Sequence, residues 1–142
     1  MRKISSIGLR RRKAEHALQR IANQLLQISN QSKPQEKQYL EIIFLNDQEM
    51  KKLKKKFLKQ EGAHDVLAFP EPPNFPHPEK KGRKLGEVYL NSRFLNQFDQ
   101  LVFLMVHGLL HLLGFTHNHK SDTIRMEQAE RQLMEKIILP LR

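Results

Sequence analysis

The segment from Leu101 to Phe115 constrains this chain more than any other: about 15 residues, nearly all apolar, with two histidines inside. It is too short for a membrane span, which takes ~20 apolar residues, and a bilayer tolerates imidazoles poorly. In water, a helix that is apolar nearly all round must be covered on every side. The pattern therefore predicts a buried central helix from about Phe98 to Leu113, with the other elements packed around it. At 142 residues the chain is expected to do this as one domain, residues 1–142, with no staple. It contains no Cys, which excludes disulfides, thiolate zinc sites and cysteine nucleophiles and fits a reducing compartment.

The remaining pattern is mixed. Ile4, Ile7 and Leu9 read as a short edge strand, and Ala14, Ala17, Leu18, Ile21, Leu25 and Ile28 as an amphipathic helix. Ser29 to Pro34 reads as a loop, and Tyr39–Leu45 as a strand with Asn46-Asp47 capping the next helix. That helix, Gln48 to Lys59, has Met50, Leu53 and Phe57 as its expected buried stripe. Strands are predicted at Asp65–Phe69 and Leu85–Leu90, separated by a proline-rich loop from Pro70 to Lys84. A last amphipathic helix runs from Ser121 to Ile138, with Ile124, Leu133, Ile137 and Ile138 among its apolar positions. Strands and helices without regular alternation indicate an α+β domain: a small mixed sheet flanked by helices. The basic N-terminus, Met1 to Lys13, is not followed by an apolar run of signal-peptide length, so a cytoplasmic, non-membrane location is expected.

The chemistry lies in His107-Gly-Leu-Leu-His111-Leu-Leu-Gly114-Phe-Thr-His117. Residues four apart lie one turn apart on a helix, so His107 and His111 can aim at a common point. Gly114 lets the helix end and the chain reverse, returning His117 as a third ligand. Three neutral imidazoles with an open fourth position make a catalytic zinc site, whose water has its pKa lowered to ~7. Placed without such a partner, three imidazoles among Leu, Val and Phe would be costly to bury. The same spacing occurs in zinc peptidases, but those carry a Glu beside the first His as general base. Here that position is Gly108, which argues against proteolysis.

On these residues the chain resembles the YbeY family of bacterial metal-dependent endoribonucleases, whose pattern is H-G-x-L-H-L-x-G-[YF]-D-H. Only Thr116 departs from it. Leu53, Phe57 and Asp65–Pro70 match a second block, Leu85-Gly86-Glu87 a third, and Met126 and Glu130 the family's last helix. The match runs from about Tyr39 to Glu130. The resemblance implies one zinc per chain on His107, His111 and His117. It also implies cleavage of single-stranded RNA, maturation of the 3′ end of 16S ribosomal RNA and a role in ribosome quality control. The implied partners are ribosomal RNA and the small ribosomal subunit, with no DNA or membrane partner.

The family's Arg, by contrast, falls on Leu58, and its Asn, Asp, Thr and Ser become Lys54, Glu61, His64 and Ala68. Lys54 and Lys55, one turn before Leu58, are the expected substitutes for the missing guanidinium, acting as point charges. Lys+Arg outnumber Asp+Glu by 25 to 15, and a net charge of +10 suits a polyanionic partner. Lys51, Lys52, Lys54, Lys55, Lys56 and Lys59, and separately Arg10 to Lys13, read either as solvated helix faces or as tracks for an RNA backbone. His16 reads as structural or solvated and His77 as a loop histidine; His119 reads either as facing water or as a hydrogen-bond partner for substrate, and His64, in a loop near the expected cleft, keeps a catalytic role as its lesser alternative. A ribosome-binding module without catalysis is the alternative that Leu58 keeps open.

Overall fold

In a computed structural model that describes residues 2–29, 37–58, 65–72 and 82–141, the chain order is α1 (Arg2–Ser29), β1 (Gln38–Leu45), α2 (Asp47–Leu58), β2 (Val66–Pro70), β3 (Arg83–Asn91), α3 (Phe98–Leu112) and α4 (Lys120–Leu141). A 3-10 turn at Ser92–Phe94 joins β3 to α3. The strands form one mixed sheet in the order β1-β3-β2, with β3 parallel to β1 and antiparallel to β2. The α+β expectation, a small mixed sheet flanked by helices around a buried histidine-bearing helix, describes this architecture.

Alternation along each strand divides the sheet into two unlike faces. Leu40, Ile42 and Phe44 of β1, Val88 and Leu90 of β3, and Val66 and Ala68 of β2 join the core on the face that carries α1 and α3. Leu101, Met105, Val106 and Leu109 of α3 are fully buried there. Leu18, Ala22, Leu25 and Leu26 of α1 and Met126, Leu133 and Ile137 of α4 close around them. The central helix is therefore apolar because it is covered, except near its start, where Phe98 and Phe103 reach solvent at 36% and 40% exposure.

Close approach of α3 to the sheet depends on Gly108. A Cβ there would stand 2.8 Å from Val88 Cγ1 and 3.3 Å from Val66 Cγ2. Both neighbours are β-branched and stiff, so they cannot turn aside cheaply. Gly108→Ala is expected to lower unfolding stability by about 1–3 kcal/mol, the usual cost of overpacking. Chemical denaturation checks this, and an unchanged midpoint would mean that α3 can lift from the sheet at no cost.

The second face is mixed, with Leu67 buried and Phe69 against Tyr89 beside Glu41 and Glu87, and it is only partly covered, by α2. Asn46 Oδ1 accepts from the Glu49 amide at 2.8 Å, while Glu49 Oε1 accepts from the Asn46 amide at 3.0 Å, a reciprocal cap that starts α2. Asn91, fully buried at the end of β3, donates to Asp47 Oδ1 at 2.6 Å, and Arg93 pairs with Asp65 at 2.8 Å. The first bond pins the start of α2 to the sheet, and the second ties the turn after β3 to the residue before β2. Further along the face, the Lys84 ammonium meets Glu41, Glu71 and Glu87 at 3.1, 3.7 and 3.5 Å. Burial draws the Lys84 pKa down, but the bond to Glu41 and the three negative charges outweigh it, and the net shift is upward. Burial, reinforced by the hydrogen bond donated to Glu87, pushes the Tyr89 phenol up to about 12.

Three readings from sequence need correction. The N-terminal segment is the start of α1, not an edge strand: Ile4 and Ile7 stand a helical step apart, and no proline separates them from Ala14, so the helix propagates through both. The inward stripe of α2 is Met50, Leu53 and Lys54, because the end of α2 overhangs the edge strand β2 and leaves Phe57 58% exposed. On α4, Ile124 is 48% exposed and the buried stripe runs instead through Met126, Glu130, Leu133 and Ile137. The proline-rich segment 73–81, the loop 30–36, and Lys59, Glu61, His64 and His77 lie outside the described residues.

Candidate metal centre

α3 carries His107 and His111 on one side, one turn apart, with ring centroids 4.8 Å from each other. The helix then stops in a Schellman arrangement. The Phe115 amide donates to the Leu110 carbonyl at 3.0 Å and the Gly114 amide to the His111 carbonyl at 3.1 Å. This turn needs a positive φ, and Gly114 supplies +103°. The reversal returns His117 to ring-centroid distances of 5.1 Å from His111 and 6.0 Å from His107. One ligand nitrogen from each of the three lies within 4.8 Å of the others, so the group can hold a metal ion. His107 and His111 are half-buried and His117 is exposed, which leaves the cluster open to solvent on one side.

Each helical imidazole is oriented through its other nitrogen. His107 Nδ1 lies 3.1 Å from Glu130 Oε1, and His111 Nδ1 lies 3.0 Å from the Phe115 carbonyl oxygen. A carboxylate and a carbonyl only accept, so both contacts call for Nδ1–H, and in the neutral rings that a metal needs each Nε2 is then the lone pair. Those two Nε2 atoms face each other at 3.2 Å. Two lone pairs repel at that distance unless a cation lies between their directions. Two nitrogens each ~2.05 Å from one tetrahedral zinc would stand roughly 3.3 Å apart, so the pair on α3 fits such an ion. Burial, then the neighbouring His107 and His117, hold the His111 pKa below the ordinary imidazole value, keeping it in the neutral, ligating form.

Glu130 completes the arrangement. It is 8% exposed on the inward stripe of α4 and supplies the carboxylate that metal-ligating histidines commonly carry behind them. Sequence reasoning matched Glu130 to a family position but gave it no role. The available signal was a carboxylate in register with Met126 and Leu133 on an apolar stripe, where an unpaired charge is rare.

The structure groups His107, His111 and His117 and leaves Lys54 and Lys55 elsewhere. α2 packs on the sheet face opposite α3, as the contact of Phe57 with Phe69 and of Phe69 with Tyr89 shows, each at 5.7 Å between centroids. Lys54 is turned inward at 6% exposure, and Lys55 is exposed on that far side. Helical offset placed both near position 58 but carried no information about which sheet face α2 covers. Thr116 donates to Asp122 at 3.4 Å, tying the histidine loop to α4. His119 is exposed, and its carbonyl accepts from the Thr123 amide at the start of α4. His16 is exposed on α1, beside a shallow cavity of about 220 Å³ lined also by Arg12, Glu15, Gln19 and Ile42.

Three imidazoles converge from a buried helix and its capping loop, two of them backed by acceptors at Nδ1, in a three-histidine group that could hold a metal ion. The family model for Endoribonuclease YbeY matches residues 6–138, and the chain belongs to this family. It is 30% identical over 124 residues to Endoribonuclease YbeY of Phytoplasma australiense, covering 81% of this chain and 84% of that one. With Endoribonuclease YbeY of Rhizobium meliloti the identity is 30% over 132 residues, covering 87% and 78% of the two chains. The solution structure of TM1509 from Thermotoga maritima aligns with a TM-score of 0.47 at 22% identity, over 90% of this chain and 86% of that one. Among the described residues, no helix is long and apolar enough to cross a membrane.

Proposed function

We propose that this chain is a zinc-dependent endoribonuclease that cuts single-stranded RNA, acting in the cytoplasm on the 3′ end of 16S ribosomal RNA in the small ribosomal subunit. The observation that carries the reading is the pair of Nε2 atoms that face each other 3.2 Å apart on α3, with His117 beside them and the outer side open. When bound, zinc supplies Lewis acidity and an activated water. The chain's own contribution is to hold two imidazoles in one tautomer, through Glu130 and the Phe115 carbonyl, and to leave a solvent-facing approach for a phosphodiester. Gly108 is packed against Val88 and Val66, so the residue next to His107 contributes closeness to the sheet and no general base. That supports a nuclease over a peptidase.

The test is cleavage of an unstructured RNA bearing the 16S 3′ sequence by the full chain, with and without zinc. Cutting that stops with a chelator, returns with zinc and spares the duplex supports the reading. Zinc uptake and RNA binding with no cleavage would instead favour the non-catalytic ribosome-binding module, the alternative that Leu58 in place of the family Arg suggests.

RNA affinity is also expected to fall steeply with salt, given the net charge of +10. Neutralising about four phosphates of a single strand gives a log–log slope of about −2.8, or a ~50-fold loss between roughly 50 and 200 mM salt. Anisotropy titrations measure it, and a flat profile would remove the electrostatic component of the argument.

A further inference from the structure

Phe57 is the most exposed large apolar side chain among the described residues, at 58%. It is nevertheless oriented. Its ring meets Phe69 edge-on at 5.7 Å and 67°, and Phe69 is braced in turn by Tyr89 at 5.7 Å and 81°. Lys51, Lys52, Lys55 and Lys56 are exposed on the same helix, and Lys56 Nζ stands 5.4 Å from the Phe57 ring centroid.

The ring also has a defined relation to the histidines. Phe69 precedes Pro70, which pairs with Gly86, and Leu112 packs onto Gly86 one residue after His111. Phe57 and the metal-binding group thus lie on opposite faces of the same end of β2, an edge strand of the sheet.

We propose that Phe57, with Lys56 over its ring and Lys51, Lys52 and Lys55 exposed elsewhere on the same helix, is a stacking platform that holds an unpaired base of single-stranded RNA on the far side of β2 from the histidines. This deepens the ribonuclease reading and rests on it for the nature of the ligand. An oriented, half-exposed aromatic ring among lysines is the combination that binds single strands, because every base has a π-face and every nucleotide a phosphate. A protein-docking Phe would need apolar neighbours. Here the inward stripe takes Met50 and Leu53, and the side chain seen over the exposed part of the ring is Lys56. A stacked base displaces Lys56 from the ring and offers it a phosphate, exchanging a cation–π contact that is weak at an exposed site for an ion pair.

The chain has no Trp, so Phe57→Trp installs a single indole reporter at the platform. Measured in chelator on the full chain, so that no cleavage intervenes, its emission is expected to be quenched by single-stranded oligoadenylate, saturating with binding. The duplex of that strand with oligouridylate should leave the emission unchanged. Phe57→Leu keeps the contact with Phe69 but loses the π-face, and is expected to weaken oligoadenylate binding roughly 5- to 100-fold, while Phe57→Tyr binds within about twofold of the native chain. An unquenched indole together with native-like binding by Phe57→Leu overturns the proposal, as does equal quenching by duplex. Should Phe57→Leu fail to fold by circular dichroism, the indole titration decides alone. Quenching without zinc-dependent cleavage would leave the platform standing and remove the nuclease, whereas cleavage with no effect of Phe57 would do the reverse.

Discussion

Replacing His107 or His111 with Ala is expected to abolish stoichiometric zinc binding and RNA cleavage together, while leaving the fold intact. Both side chains project from the stretch of α3 that is held by Met105, Val106, Leu109 and Leu110, so their positions do not depend on metal. Either substitution leaves one helical nitrogen and His117, which is exposed on a loop and too weakly fixed to compensate. Loss of an orienting partner alone typically costs 10–100-fold in metal affinity or activity; loss of a ligand should exceed about 100-fold. Stability should change little in His111→Ala, because the Schellman cap is made by backbone groups and the bond from His111 to Phe115 is worth only about 1 kcal/mol net, whereas His107→Ala also strips the buried Glu130 of its partner and should cost about 1–3 kcal/mol. Elemental analysis with calorimetric zinc titration measures the first effect, and thermal unfolding the second. Full zinc stoichiometry in His107→Ala would mean that the ion, if bound, is held by some other set of donors.

Much of this centre is legible in the residues themselves because each part answers to a local rule. A helix such as α3 can be apolar nearly all round only if it is buried. Two histidines four apart share a side, and a Gly three residues after the second can adopt the positive φ that ends the helix. Asn46 and Glu49 announce the cap of α2 in the same local way. What local rules leave open is everything decided by neighbours distant in sequence. Period 3.6 puts Met50, Leu53, Lys54 and Phe57 on one broad side of α2, but the sheet ends beneath that helix. Lys54 is consequently buried and Phe57 exposed, the reverse of what polarity suggests. The tight contact of Gly108 with Val88 and Val66 depends on the β1-β3-β2 order, and hydrophobic patterning carries no strand order. Gly108 reads from sequence as a missing Glu and in the fold as a spacer.

Glu130 is expected to control the metal through His107 without touching it. Its carboxylate accepts from His107 Nδ1 at 3.1 Å, which fixes the tautomer, sets the ring plane and raises the basicity of the Nε2 that faces His111. Glu130→Gln retains an acceptor oxygen but loses the charge, so the ring stays oriented and zinc affinity should fall about tenfold. Glu130→Ala loses both and leaves Nδ1–H facing a void among Met126, Leu133 and the core, so the fall should approach 100-fold. The two variants separate orientation from charge: equal losses would mean that only the charge matters, and a loss confined to Ala that only the acceptor does. Folding stability runs the other way from affinity. A carboxylate 8% exposed is costly to desolvate, so Glu130→Gln should unfold at the same denaturant concentration as the native chain or a slightly higher one. Zinc titration gives the affinities, and long-range proton–nitrogen correlation spectra of the His107 ring report the tautomer directly. A His107 ring that keeps its Nδ1 proton, and a zinc affinity unchanged in Glu130→Ala, would show that the contact is packing alone and that the ring is held by α3 without help from α4.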